Sequence, residues 1–350
     1  MKQKILITGA SGFIGSFLVD EGLRLGFDVW AGVRGTSSRK YLQDERIHFA
    51  ELDMQHPEKL RSQLMAYKAE MGGMGWDYVV HAAGATKCLH RQDFFTTNTE
   101  GTKNLIDALR DTEMIPQRFV FLSSLGVYGA IREKPVRRPT ADNPWIYAPI
   151  QLTDEQKPNT AYGESKLVAE RYLMGQKDFP YTILRPTGVY GPRERDYLLM
   201  VKSIKQHIDY AVGLTPQEIT FVYVHDVVQA VFKSMEAPKA NGKSYFLSDG
   251  KVYNSRRYSD LAQHYLGDPW VLHIKVPLCL VRVICWLCGK LSRLTGKISA
   301  LNDDKYHILS QRNWQCDIQP AIDDFDYDPQ WPLERGVKDS IRWYQQEGWL

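Results

Sequence analysis

At 350 residues, with 43% apolar and 24% charged residues and a formal net charge of +3, the chain has the composition of a folded protein with a sizeable core. So small a positive balance argues against a nucleic-acid partner, and no stretch reaches the roughly 18 apolar residues that a membrane-spanning helix needs. Five cysteines (Cys88, Cys279, Cys285, Cys288 and Cys316) form no paired framework. With a core strand in place of a secretion signal at the N-terminus, they suggest a reducing, cytoplasmic address.

Ile5 to Ile7 read as a short buried strand. The run breaks at Gly9 and resumes after Gly12 as a helical pattern through Phe13, Ile14, Phe17, Leu18 and Leu23. Strand, glycine turn and helix aim helix N-terminal N–H groups at a phosphate. Gly9 suits the tight turn, Gly12 lets the backbone approach a pyrophosphate, and Gly15 permits close packing of helix on strand. Residues 28–34 are the second strand. Where an NAD-preferring site carries an acidic ribose ligand, its end offers Arg34, followed by Ser37, Ser38, Arg39 and Lys40. A planar guanidinium there suits a 2′-phosphate, so NADP(H) is favoured over NAD(H).

Residues 47–54 form a third strand, with Asp53 placed to accept from the adenine amino group. A fourth, 77–81, runs into Ala82, Ala83 and Gly84, small enough for a cofactor to lie against the strand end. A helix is expected over 98–109 and a fifth strand over 119–124, ending in Ser123 and Ser124. The connection 131–160, rich in proline and charge, is too long for an idle loop and is expected to cover a substrate. A helix from Tyr162, a sixth strand at 181–186 and later strands at 221–226 and 244–247 complete the pattern. Alternating strands and helices predict an α/β fold, a Rossmann-type doubly wound parallel sheet with a smaller, mostly C-terminal α/β substrate domain.

Tyr162 and Lys166 are four apart and share a helix face. A phenol is a poor acid–base group at neutral pH, and a nearby ammonium brings it toward the working range. Ser124, at a neighbouring strand end, is placed to hold the same substrate oxygen. Cys285 and Cys288 lie in an apolar helical run without histidine partners, and no metal site is expected.

These pieces resemble the extended short-chain dehydrogenases/reductases of the NAD-dependent epimerase/dehydratase superfamily. The resemblance rests on Thr8–Gly15 as TGASGFIG, on His81-Ala82-Ala83-Gly84, Asn98-Thr99-Glu100-Gly101-Thr102 and 123–129 as SSLGVYG, on Tyr162-Gly163-Glu164-Ser165-Lys166, on 185–192 as RPTGVYGP, and on 221–226 as FVYVHD. It implies an NAD(P)-dependent oxidoreductase with Tyr162 as acid/base, Lys166 as its pKa-lowering partner and ribose ligand, and Ser124 as substrate-oxygen ligand. Ser123 is the less favoured hydroxyl, and Asn98 a brace for the central helix. Pro186 and Val189 are expected at the nicotinamide. The full expected cofactor set is Gly9, Ser11, Gly12, Phe13, Ile14, Arg34, Asp53, Met54, Ala82, Ala83, Gly84, Tyr162, Lys166, Pro186 and Val189. The cofactor-binding domain is expected over 1–186 with returning segments at about 221–247, and the substrate domain over 187–220 and 248–350.

Sugar-nucleotide members of the family carry an asparagine before Val-Tyr-Gly-Pro and an arginine shortly before the Phe-Val-Tyr-Val strand. Here Gly188 and the run Glu218-Ile219-Thr220 stand in those places, closer to the 3β-hydroxysteroid dehydrogenase, dihydroflavonol reductase and keto-lipid reductase branch. Residues 277–295 read as an amphipathic helix with Arg282, Lys290, Arg293 and, if it continues past Gly296, Lys297 on one stripe, a pattern suited equally to a bilayer surface or to packing on the substrate domain. The reading is therefore interconversion of a ketone and a secondary alcohol on an apolar or lipid-like molecule, such as a 3-keto-sphingoid base, a 3-ketoceramide or a sterol-like 3-ketone. A sugar-nucleotide epimerase or dehydratase is the alternative, and a non-catalytic NADP-sensing protein a further one. A peripheral contact at the inner face of a membrane and a homodimer are both compatible with it.

Overall fold

The computed structural model describes residues 2–140, 144–299 and 301–350. Strand β1 (Lys4–Thr8) crosses the glycine turn into helix α1 (Phe13–Arg24). Strands β2 (Asp28–Val33) and β3 (His48–Glu51), helix α2 (Pro57–Glu70) and strand β4 (Tyr78–His81) follow. Pro57 opens α2 where its missing N–H would have had no helical partner. A short helix α3 (Arg91–Phe94) leads through a wider π-type turn, Phe95–Glu100, into α4 (Gly101–Asp111) and then β5 (Arg118–Leu122). Helix α5 (Ala161–Met174) is capped by the Thr160 hydroxyl, which accepts from Gly163 N–H at 3.0 Å, and leads to β6 (Tyr181–Pro186).

The second half supplies β7 (Gly188–Tyr190), α6 (Asp196–Lys205), β8 (Ile208–Val212), β9 (Glu218–Ile219), β10 (Phe221–Tyr223) and α7 (Val224–Glu236). Strands β11 (Lys243–Leu247), β12 (Tyr253–Asn254) and β13 (Leu272–Val276) follow, with α8 (Arg257–Tyr265) between the last two. Helices α9 (Leu278–Thr295), α10 (Asp303–Ser310), α11 (Gln319–Phe325) and α12 (Leu333–Gln346) end the chain.

Seven strands form one parallel sheet in the order β11-β6-β5-β4-β1-β2-β3. Because side chains alternate across a strand, Ile5, Ile7, Val29 and Ala31 enter the core on one face, while Leu6 and Trp30 enter the core on the other. The strand order reverses between β1 and β4, which opens a crevice at their carboxyl ends. Strands β10 and β7 pair with each other outside this sheet, as do β12 with β9 and β13 with β8.

Four elements differ from the sequence reading. The third strand stops at Glu51 instead of 54, because its neighbour ends at Val33, directly opposite, and the Asp53 N–H turns to Gln63 Oε1 at 2.9 Å. The helix expected from 98 becomes regular only at Gly101, after the π-type turn that carries Asn98. The strand expected over 221–226 ends at Tyr223. Val224, Val227, Val228 and Val231 are buried at helical spacing, and the Asp226 carboxylate accepts from Gln330 and Trp331 N–H groups at the first turn of α7. The fifth strand, expected to 124, stops at Leu122. Helix α9 ends at Thr295 as read from the sequence, where Gly296 takes φ 69°, so Lys297 lies off the basic stripe. In the connection 131–160, residues 141–143 lie outside the described residues. Its later part is fastened by the buried Glu218 carboxylate, which accepts from Ile146 N–H at 2.5 Å, from Tyr147 N–H at 3.1 Å and from the Gln315 amide.

Candidate active site

The glycine turn is shaped for close approach. Gly9 has φ +67°, and a Cβ there would lie 2.7 Å from the Ala83 backbone. A Cβ on Gly15 would meet Gly9 O at 2.1 Å, whereas one on Gly12 would sit 3.1 Å from the same oxygen. Gly12 caps α1 with no side-chain hydrogen bond, which leaves the first N–H groups of the helix for an incoming anion. A cavity of about 320 Å³ lies against Ser11, Gly12 and Phe13 and is also lined by Tyr41, Lys87 and Arg193. These features fit a dinucleotide: a bare helix terminus and a backbone cradle that a Cβ would fill, with Lys87, Arg193 and Arg195 beside it and the Asp196 carboxylate paired to Lys87.

Behind the turn, His81 is 1% exposed and bonded on both ring nitrogens, Nδ1 to Thr8 Oγ1 at 2.7 Å and Nε2 to Thr102 Oγ1 at 2.9 Å. Ala83 N–H donates to Thr8 Oγ1, and Thr102 donates to Asn98 O, so the network assigns the proton to Nε2. Burial pushes this imidazole down to about 3, and the Lys166 charge pushes the same way. Asn98 in turn accepts from Ala85 N–H and donates to Ala85 O and to Ser165 Oγ, tying the end of β4 to α5. Wide turns of the kind that holds Asn98 gather at functional sites.

Ser124, Tyr162 and Lys166 converge at the ends of β4 and β5. The Ser124 hydroxyl accepts from Gly126 N–H at 3.0 Å and neighbours the Tyr162 phenol. Burial pushes that phenol up to about 12 and the neighbouring Ser124 hydroxyl pulls it back, while the lowering expected from Lys166 does not accompany them. Lys166 Nζ donates to Leu122 O at 2.9 Å and stands 4.7 Å over the Phe121 ring. A Cβ on Gly84 would lie 3.1 Å from both Lys166 Nζ and Asn98 Oδ1, so glycine is what leaves the ammonium room. Burial lowers Lys166 to about 8, with the Glu170 carboxylate resisting. Ser123 Oγ is buried without a hydrogen-bond partner.

The remaining expected residues ring the crevice. Arg34 is exposed just beyond β2, with its N–H on Ser37 Oγ at 3.1 Å. The Asp53 carboxylate, paired with His56 and Lys59, is held down at about 2, while Met54 gives its carbonyl to Asn104. Ile14 and Ala82 are partly buried against the core. Pro186 ends β6, and Val189 lies half-buried on β7.

Four positions were not singled out from the sequence. Asp304 of α10 accepts from Ala161 and Tyr162 N–H at 3.0 and 3.3 Å, holding the first turn of α5 from 142 residues away. Arg193 donates to Ser16 Oγ and Asp20 and lies 4.3 Å over the Phe17 ring, so it belongs to the glycine-turn helix in space. Its place directly after Gly191-Pro192 was the available signal. Glu51 approaches the second-strand loop, where a Cβ on Gly35 would lie 3.0 Å from its Oε1. Finally, a Cβ on Gly188 would lie 2.5 Å from Tyr197 Oη, and the Tyr197 ring packs with Tyr258, Phe221 and Tyr190.

Residues 5–254 match the NAD dependent epimerase/dehydratase family. A UDP-glucose 4-epimerase of Vibrio cholerae is 24% identical, covering 99% of this chain and 97% of its own length. A 3-beta-hydroxysteroid dehydrogenase of Mycolicibacterium neoaurum is 26% identical over 97% of this chain and 91% of its own. The solved dTDP-glucose 4,6-dehydratase of Bacillus anthracis, in complex with NAD, shares the fold with a TM-score of 0.74 at 18% identity, covering 99% of this chain and 98% of that one. With its parallel sheet and glycine turn, the chain belongs to the NAD dependent epimerase/dehydratase family and is an NAD(P)-dependent enzyme of the extended short-chain dehydrogenase/reductase type.

Proposed function

We propose that the enzyme interconverts a ketone and a secondary alcohol on an apolar or lipid-like substrate, with NADP(H) as the preferred cofactor. The observation that carries the substrate class is Tyr197. Its hydroxyl fills the space that an asparagine side chain would need at position 188, and three aromatic rings hold it there. The buried Glu218 carboxylate adds to this, because it stands in the stretch where a guanidinium would clamp a substrate diphosphate. An aromatic wall, and a carboxylate fastened to Ile146, Tyr147 and Gln315 in the place of a diphosphate clamp, favour a substrate without phosphate.

In this reading the residues of the glycine turn, with Ser11, Phe13 and Ile14, hold the pyrophosphate. Arg34 takes the 2′-phosphate, and Asp53 and Met54 border the adenine. Ala82, Ala83, Gly84, Pro186 and Val189 line the nicotinamide side, and Lys166 binds the ribose. The bound nicotinamide supplies or accepts the hydride. Ser124 orients the substrate oxygen, Tyr162 exchanges a proton with it at Oη, and the Lys166 charge eases that exchange. Residues 187–220 and 248–350 form the substrate side, with 131–160 covering it.

The deciding experiment follows NADPH consumption with a panel of long-chain and polycyclic 3-ketones alongside nucleotide sugars. Net oxidation of NADPH by a ketone supports the reading. Interconversion of nucleotide sugars without net cofactor turnover, as the similarity to a UDP-glucose 4-epimerase suggests, would replace it.

Cofactor preference has its own test. Fluorescence titration should show NADPH binding about tenfold to a hundredfold tighter than NADH, the range of one charge-assisted phosphate bond. Arg34→Asp should invert the order. Glu51 is the carboxylate that would serve the ribose hydroxyls instead, so equal affinities in the wild type would defeat the assignment of Arg34.

A further inference from the structure

Helix α9 carries its apolar stripe on the outside. Leu280, Val283, Ile284, Leu287, Leu291 and Leu294 are between 37% and 84% exposed. At about 100° per residue they share roughly 100° of arc. The helix rests on the protein through another side, where Val281, Cys285 and Ser292 are buried. At the same spacing Lys290 lies about 20° outside the stripe and Arg293 and Arg282 about 80° and 100° outside it on the same side, and α9 contains no carboxylate. The Lys290 ammonium stands 4.0 Å over the ring of Trp286, itself 45% exposed. Leu214, 76% exposed, follows Gly213, which abuts the Leu278 side chain at the start of the helix.

We propose that α9 docks on an anionic phospholipid surface, lying in the plane of the headgroups. No helix among the described residues is long and apolar enough to cross a membrane, so this face has no use as a span. A second copy of the chain would also cover it, but a two-fold contact on the stripe would bring Lys290 toward the like charges of the partner helix. Headgroup phosphates complement those cations, acyl chains receive the leucines, and Trp286 suits the boundary between them. The surface lies one element from the chemistry. The Arg282 guanidinium is 6.0 Å from the ring of Tyr306 on α10, and Asp304 of the same helix holds the first turn of α5 beside Tyr162. Docking does not depend on the substrate class proposed above.

The full chain should sediment with phosphatidylglycerol-containing vesicles at low salt, bind phosphatidylcholine vesicles more weakly, and be released in part as salt rises. Arg282→Glu with Arg293→Glu should weaken binding by at least about 25-fold, at roughly fivefold for each charge lost. Leu287→Glu should abolish it while melting temperature and NADPH affinity hold, since Leu287 is 53% exposed. Vesicle binding by a protein that reduces no ketone would uphold the docking surface and remove only the substrate reading. Absence of binding at low salt in a protein that still binds NADPH would overturn the docking surface. So would a dimer in analytical ultracentrifugation that Leu287→Glu dissociates, which would assign the face to a second copy.

Discussion

Tyr162→Phe should cost about a hundredfold to ten-thousandfold in turnover while leaving NADPH affinity nearly unchanged. The substitution removes one hydroxyl, and a positioned proton donor contributes on that scale. The ring still fits its place beside Phe94, with centroids 6.4 Å apart, and the backbone N–H still reaches Asp304. Lys166→Met should differ from it by weakening cofactor binding as well, because the proposal gives the ribose to its ammonium, which stands beside Gly84. Stopped-flow turnover with a verified ketone, paired with cofactor titration, separates the two. A Phe variant that keeps most of the wild-type rate would mean that another group supplies the proton.

Glu170→Gln should lower stability by about 3–5 kcal/mol, the range for removing one partner from a buried ion pair. Glu170 and Arg185 are 0% and 5% exposed at their side chains, joined by two hydrogen bonds of 2.9 and 2.8 Å. Arg185 also donates to Tyr128 Oη at 3.1 Å. The variant strands a guanidinium that water cannot reach, whereas Glu170→Met with Arg185→Met should recover most of the loss. Urea midpoints of the three proteins provide the comparison, and a single-variant loss under about 1 kcal/mol would show that the pair is less isolated than its burial suggests. The same change should lower Lys166 further, since the Glu170 carboxylate is what holds its ammonium up against burial.

The sheet was legible because most of its strands are short apolar runs, and because β1, β4 and β5 run into small or hydroxylated residues. Local patterns also carried Tyr162 and Lys166, which lie four apart on one helix. What the sequence left hidden is non-local. Asp304 reaches α5 from a helix far along the chain, Arg193 returns to α1, and Tyr197 occupies the space beside Gly188. None of these pairings leaves a periodic trace. The end of β3 and the start of α7 were misplaced for a related reason. A strand needs a neighbour to continue, and the neighbour's end at Val33 is a tertiary fact. Phe221 to Val224 is a continuous apolar run that reads as a strand, yet the valines from Val224 on are spaced for a helix.

The His81 network makes the frame around the catalytic groups electrically silent. With its imidazole held down at about 3, His81 keeps the same tautomer and the same two threonine partners from mildly acidic to alkaline solution. The strand ends that present Gly84 and Ser124 therefore keep their histidine brace as protons come and go, and under the proposed mechanism a pH response in turnover would belong to Tyr162 and Lys166. The silence is confined to geometry. A histidine lowered in the folded state contributes stability above its ordinary value near 6.5, and that contribution drains away as pH falls toward about 3, because the unfolded chain takes up the proton first. Acid thus loosens the whole fold, at roughly 1.4 kcal/mol per pH unit from this one ring, while the folded molecules that remain carry an unaltered site.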